Sequence, residues 1–142
     1  MRRFLSLVLL VATGFILTAC STIMPKNRGG APLEGTTWRL ASIVENPIVA
    51  SGSTPVTIRF NEPDGRVGGF AGCNTIFASY AADDEDISFG PIGATKMLCP
   101  ENMELEAALI NALSQADVYS IKGNELTLLR RERPLLKFVA GN

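Results

Sequence analysis

Histidine is absent from all 142 residues, and there are only three cysteines and one tryptophan. Without histidine, Ser-His-Asp and Cys-His chemistry lack their usual base, and a zinc site loses its commonest ligand. No basic surplus exists either: 13 lysines and arginines stand against 14 acids. A nucleic-acid binder gathers basic residues on one face, so no nucleic-acid partner is expected. Phosphate loops are missing as well. The glycine-rich stretch GRVGGFAGCNTIFASY, residues 65–80, fails the GxGxxG spacing, because Val67 follows Gly65 and Phe70 follows Gly68 where the second glycine belongs; no Walker-type Lys-Ser/Thr follows.

What the chain does have is a leader. Arg2 and Arg3 precede an apolar stretch over residues 4–17, shorter than the roughly 20 residues of a spanning helix, and small residues follow. This is the layout of a secretory signal over residues 1–19. Leu17-Thr18-Ala19-Cys20 resembles the bacterial lipobox, which implies diacylglycerol on the Cys20 sulfur and acylation of the new N-terminus after cleavage. The plain alternative is an ordinary cleaved signal in which Cys20 has no role. Several acyl chains hold a domain stably where one holds it weakly, since each buried methylene contributes about 0.8 kcal/mol. By the lipoprotein sorting rule, Ser21 after the modified cysteine implies an outer-membrane anchor facing the periplasm. Residues 20–34, which mix Ser, Pro, Gly and Lys with little periodicity, read as a flexible tether, and residues 35–142 suffice for a single domain.

In that oxidising compartment, Cys73 and Cys99 most simply form a disulfide; the alternative is two unpaired cysteines packed as small hydrophobes. Residues 36–43 alternate Trp38, Leu40 and Ser42 against Thr37, Arg39 and Ala41, the period of a half-buried strand. Residues 46–54, with Pro47 and Gly52, read as loop. Residues 56–60 and 66–72 form a hairpin about Asp64-Gly65, and a second turn near Cys73-Asn74 leads into residues 76–80. The glycines of the return strand signal bent backbone, a bulge, or close approach of another backbone. The acidic run at residues 83–86 lacks EF-hand spacing, with Phe89 and Thr95 where Gly and Glu are required, and reads as a solvated turn. One helix begins near Pro100 and Glu101 and turns Leu105, Leu109, Ala112, Leu113 and Ala116 to one face. Strands at residues 119–121, 126–129 and 135–139 close the chain, with the basic run 130–133 at a hairpin tip.

In this order, GTTWRL, IRF, GRVGGFAGCN, Tyr80, ISF, TKMLC, Glu106 with Leu109 and Leu113, Tyr119, LTLL and LLKF resemble the META/HslJ-like family of small bacterial envelope lipoproteins, over about residues 34–140. The resemblance implies an α+β domain in which a curved antiparallel sheet, similar to an incomplete barrel, packs on one main helix. Cys73 and Cys99 fall in the family's two cysteine-bearing motifs, which strengthens the disulfide. The family carries no agreed reaction, and its name comes from an association with heat shock. No cofactor or metal is expected. The leading expectation is a non-enzymatic, lipid-anchored outer-membrane protein that supports the envelope under stress. Its partners would be membrane lipid through the anchor and an apolar protein or lipid segment in the hollow of the sheet. The rival is an enzyme using Cys73 as a thiol, or Asp86 and Glu104 as paired carboxylates.

Overall fold

The computed structural model describes residues 29–45 and 54–141. The leader, Cys20, most of the tether and all but the end of the 46–54 loop lie outside the described residues.

Nine strands and one helix follow in the order β1 (Thr37–Ile43), β2 (Thr57–Asn61), β3 (Arg66–Phe70), β4 (Thr75–Asp83), β5 (Asp86–Phe89), β6 (Gly93–Ala94), α1 (Met103–Gln115), β7 (Val118–Lys122), β8 (Glu125–Arg130) and β9 (Arg133–Ala140). Their spatial order is β3-β2-β1-β9-β8-β7-β5-β4-β6, and β3 also pairs with β4. That last pairing corrects the expected incomplete barrel: eight antiparallel strands form a closed ring, with β6 appended to β4. The narrowest seam is β5–β7, where Asp86 opposite Val118 is the one paired position. Two further bonds hold it, from Ile87 N to Asp117 O and from Tyr119 N to Glu85 O.

Closure depends on β3 being paired along both edges over the same residues. Val67 faces Phe60 on one side and Ala78 on the other, and Gly69 lies between Ile58 and Ile76. At Gly69 a Cβ would lie 1.9 Å from Thr57 O and 2.8 Å from Ile58 Cα, far inside van der Waals contact. The register of β3 is unbroken on both sides. Gly69 therefore serves close backbone approach, one of the roles expected, and β3 carries no bulge. A bulge occurs instead in β1, where the register with β9 shifts between Leu40 and Ser42. That extra residue turns Ile43 inward, which simple alternation from Trp38 does not foresee.

Inward-facing Trp38, Ile58, Phe60, Leu126, Leu128, Leu136 and Phe138 are fully buried and fill the lumen. Helix α1 lies over one mouth. It begins beside the β3–β4 turn, where Asn102 Nδ2 donates to Gly72 O, and ends beside the β8–β9 turn, where Gln115 Oε1 accepts from Arg130 Nη1. The expected apolar face is the buried one: Leu105, Leu109, Ala112, Leu113 and the C-cap Ala116. The helix starts at Met103, two to three residues later than Pro100 and Glu101 imply, because residues 100–102 form the turn leading into it.

The opposite mouth is covered by residues assigned above to the tether, which requires a second correction. Ala31 N donates to Gly123 O, Gly35 N donates to Phe60 O, and Trp38 Nε1 donates to Leu33 O. Leu33 is buried, so the chain is part of the domain from about Ala31. Tyr80 OH donates to Glu34 Oε1 at 3.3 Å. Burial, then the Glu34 carboxylate, push the Tyr80 hydroxyl up to about 12 from 10.0; burial and the Glu34 charge also raise Tyr119.

Adjacent glycines in β3 should respond oppositely to substitution. Gly69→Ala should destabilise the domain by about 1–3 kcal/mol, the usual cost of overpacking. Gly68→Ala, where the nearest atom to the new Cβ is 3.7 Å away, should stay within about 0.5 kcal/mol; urea unfolding of both variants checks this. The tyrosines supply a pH test. Because Tyr80 loses its proton less readily folded than unfolded, its stabilisation is fully present below pH 10 and is lost as pH rises toward about 12. Ultraviolet titration should show tyrosinate appearing later in the native protein than in denaturant, and Tyr80→Phe should flatten the alkaline loss of stability.

Candidate functional site

The GCN turn between β3 and β4 is where most of the buried polar chemistry of the domain collects. Gly72 holds φ +94°, a left-handed conformation that favours glycine, and its Cβ position faces Leu105 Cδ2 at 3.2 Å. The turn is thereby pressed against α1. Cys73 is bonded to Cys99 with a Cα–Cα distance of 5.9 Å, and the sequence expectation of a disulfide holds. Closing a loop with a sequence separation of 26 limits the unfolded chain by about 3.5 kcal/mol in loop-closure entropy.

Asn74, 5% exposed, doubles that covalent link with hydrogen bonds. Its Nδ2 donates to Met97 O and Glu106 Oε1, and its Oδ1 accepts from Met97 N at 2.7 Å and Thr95 Oγ1 at 2.9 Å. An amide offers two donor hydrogens and two acceptor lone pairs, so this side chain is saturated. Its backbone N donates to Glu106 Oε2 at 3.1 Å. Thr95 Oγ1 also accepts from Thr75 N. One residue thus fastens β4, the 95–99 segment and α1 together.

The clamp holds an apolar surface in place. Met97 is 64% and Leu98 80% exposed, and Met103 in the first turn of α1 is also exposed. With both main-chain polar groups of Met97 held by Asn74, its side chain is displayed from a fixed backbone. On the outer face of β4, Phe77 stands exposed over Gly93.

A second feature lies along α1. A groove of about 480 Å³ runs between the helix and the ends of β1 and β9, floored by Ile43, Leu135, Ala107, Ala108 and Ala112 and rimmed by Glu45, Glu104, Asn111 and Gln115. Glu45 is ion-paired with Arg133, while among the described residues Glu104 forms no ion pair. A void beside β3, β4 and Leu113 measures only about 10 Å³, roughly one water. The hollow expected as a binding place is occupied by core side chains.

The residues of the enzymatic rival fall as follows. Cys73 is bridged and presents no thiol in this form. Asp86 pairs with Asp83 at the far end of β4 from the GCN turn, whereas Glu104 sits in the first turn of α1 beside that turn. The length of β4, roughly 25 Å at about 3.3 Å per residue, lies between those ends. Among the described residues, no group of three or more Cys, Asp or Glu is placed to hold a metal ion. The Asn74–Glu106 clamp and the alanine groove have no assigned role in the sequence reading. A buried asparagine has no periodic signature; the groove's signal is that alanines, and no large residues, continue the helix on the side facing β1 and β9.

A closed antiparallel barrel, capped by one helix and locked by one disulfide, defines a small β-barrel module. The chain belongs to the META domain family, whose profile matches residues 31–141. Among solved structures it is similar to a protein from Burkholderia xenovorans, with 27% identity and a TM-score of 0.62 over 84% of this chain and 97% of that one. A second NMR structure of a protein shares 21% identity and a TM-score of 0.58 over 75% and 91% of the two chains. A DUF4847 family protein from Bacteroides vulgatus shares 19% identity and a TM-score of 0.55 over 75% and 93%; these last two bear on the fold alone. No curated protein matches the chain.

Asn74→Ala would strand Glu106, Thr95 and the Met97 backbone in a part-buried site. Four side-chain hydrogen bonds are lost, each worth about 0.5–1.5 kcal/mol net, so the cost should be about 2–6 kcal/mol. Urea unfolding with the disulfide intact is the check, and a cost below about 1 kcal/mol would show the clamp to be redundant with the sulfur link.

Proposed function

We propose that this META domain is a lipid-anchored, non-enzymatic module of the bacterial outer membrane. Acylated at Cys20 and facing the periplasm, it supports the envelope under stress by binding an apolar segment of a protein or lipid. The observation that carries the binding reading is the contrast between a lumen filled by fully buried Trp38, Phe60 and Phe138 and exposed Met97 and Leu98 fixed beside a disulfide. Binding therefore belongs on the outer surface. The anchor reading is supported by Arg2, Arg3 and Leu17-Thr18-Ala19-Cys20.

The domain's attachment fits this arrangement. The described chain enters at Ala31 on Gly123, at the mouth opposite α1. A lipid on Cys20 would thus tether one end and leave the disulfide end free. The enzymatic alternative requires a free thiol at Cys73 or converging carboxylates.

Cys20→Ala, or globomycin treatment, should move the protein out of the membrane fraction on cell fractionation; retention there would overturn the anchor. Thiol titration of the denatured, unreduced mature protein should find neither Cys73 nor Cys99 free. Two reactive thiols would favour the enzyme.

A further inference from the structure

We propose that the groove between α1 and the ends of β1 and β9 is a docking site for a short apolar peptide segment of another protein that carries a lysine or arginine. This deepens the binding role proposed above and rests on it. The volume, about 480 Å³, lies in the range of sites that enclose a ligand. Ala107, Ala108 and Ala112 keep the helix side of the floor low, so another chain can approach the backbone closely, while Ile43 and Leu135 supply larger apolar walls.

Charge selects the occupant. Both ionisable groups of the lining are carboxylates, Glu45 and Glu104. Arg133 already rests on Glu45, which shows the rim accepting a guanidinium. Glu104 offers the same chemistry with no ion-pair partner among the described residues. With Arg133 on Glu45 and Arg130 on Gln115, Glu104 is the charge of the lining left for an occupant, and it calls for a cation. The side-chain amide of Asn111 adds hydrogen-bonding capacity for a peptide backbone. Gln115 Oε1 is taken by Arg130, and its Nε2 donates to Asn111 O.

Position points the same way. If Cys20 carries the lipid, the residues between it and Gly29 extend at most about 30 Å, at roughly 3.3–3.6 Å per residue, and the chain enters the domain at the mouth opposite α1. The groove then opens away from the anchoring bilayer, toward proteins of the periplasm. A second copy fits poorly. A stable interface buries about 800 Å² on each partner, and a cleft one helix wide beside a charged rim is matched to an inserted segment.

The test uses the full acylated protein in nanodiscs of zwitterionic lipid, with empty nanodiscs as blank. Two capped peptides of about 12 residues are compared, one of leucine, alanine and lysine, the other with glutamate in place of lysine. The lysine peptide should shift the methyl signals of Ala107, Ala108 and Ala112 in a saturable way at or below ~1 mM, a weak affinity of about 4 kcal/mol, and the glutamate peptide should not. Glu104→Gln should weaken binding about threefold to fivefold, the worth of an exposed ion pair. Ala107→Leu, on an exposed helix position where leucine is a good helix former, should block binding without loss of fold. Equal shifts with both peptides, or none with either, overturn the proposal. So do shifts that appear only on adding anionic lipid, which would assign the groove to a membrane surface, or shifts that track protein concentration with dimers in sedimentation, which would assign it to a second copy. Failure here with Cys20 anchoring intact removes the groove alone; release of the anchor with peptide binding intact removes the lipoprotein reading alone.

Discussion

The near contact of the β2 and β3 backbones at Gly69 is the constraint on which the rest of the architecture depends. With no side chain there, β3 can lie against Thr57 and Ile58 on one edge while pairing with β4 on the other. A sheet with its end strands paired has no open end there, and its inward face becomes a lumen. A lumen must be filled, and large side chains from β1, β2, β8 and β9 fill it, leaving both mouths to be covered by Leu33 and α1. An open sheet would have left the same side chains around a hollow, and a different kind of binding protein.

The disulfide and the Asn74 clamp act at one place by different physics. The Cys73–Cys99 bond limits the unfolded chain; the hydrogen bonds of Asn74 specify which backbone atoms of residues 95–97 meet the turn and where α1 begins. A covalent link alone would hold the two segments close without fixing their orientation. Together they set Met97 and Leu98 outward on a backbone that cannot collapse onto the core. Buried polar groups are tolerated here because each is paired: among the described residues, no buried side-chain polar atom lacks a partner.

Much of the fold is legible in the sequence because its signals are local. Alternation gives β1, β-branched and aromatic residues give β2, Asp64-Gly65 gives the first hairpin, and the spacing of Leu105, Leu109 and Leu113 gives the helix face. Ring closure is not local: it rests on β5 meeting β7 across the helix, where Asp86 lies opposite Val118, and on β1 pairing with β9 from the other end of the chain. The docking of residues 31–34 was hidden because Pro32 and the flanking glycines look like linker, and one leucine carries the burial. The β1 bulge escaped for a similar reason, since a single extra residue leaves no compositional trace. Of the functional features, the disulfide was readable from compartment and cysteine count. The groove was not, because it arises where three elements remote in sequence leave space between them.

The functional reading then follows from a shape: a filled barrel has its chemistry outside. Solution NMR of the native protein tests that most directly, through contacts across the β5–β7 seam. The account predicts a cross-strand nuclear Overhauser effect between Asp86 and Val118, with slow exchange of the Ile87 and Tyr119 amides that donate to Asp117 O and Glu85 O. Absence of that contact, with both amides exchanging at the rate of an unpaired strand, would mean an open sheet and an accessible interior, and would contradict the account at its base.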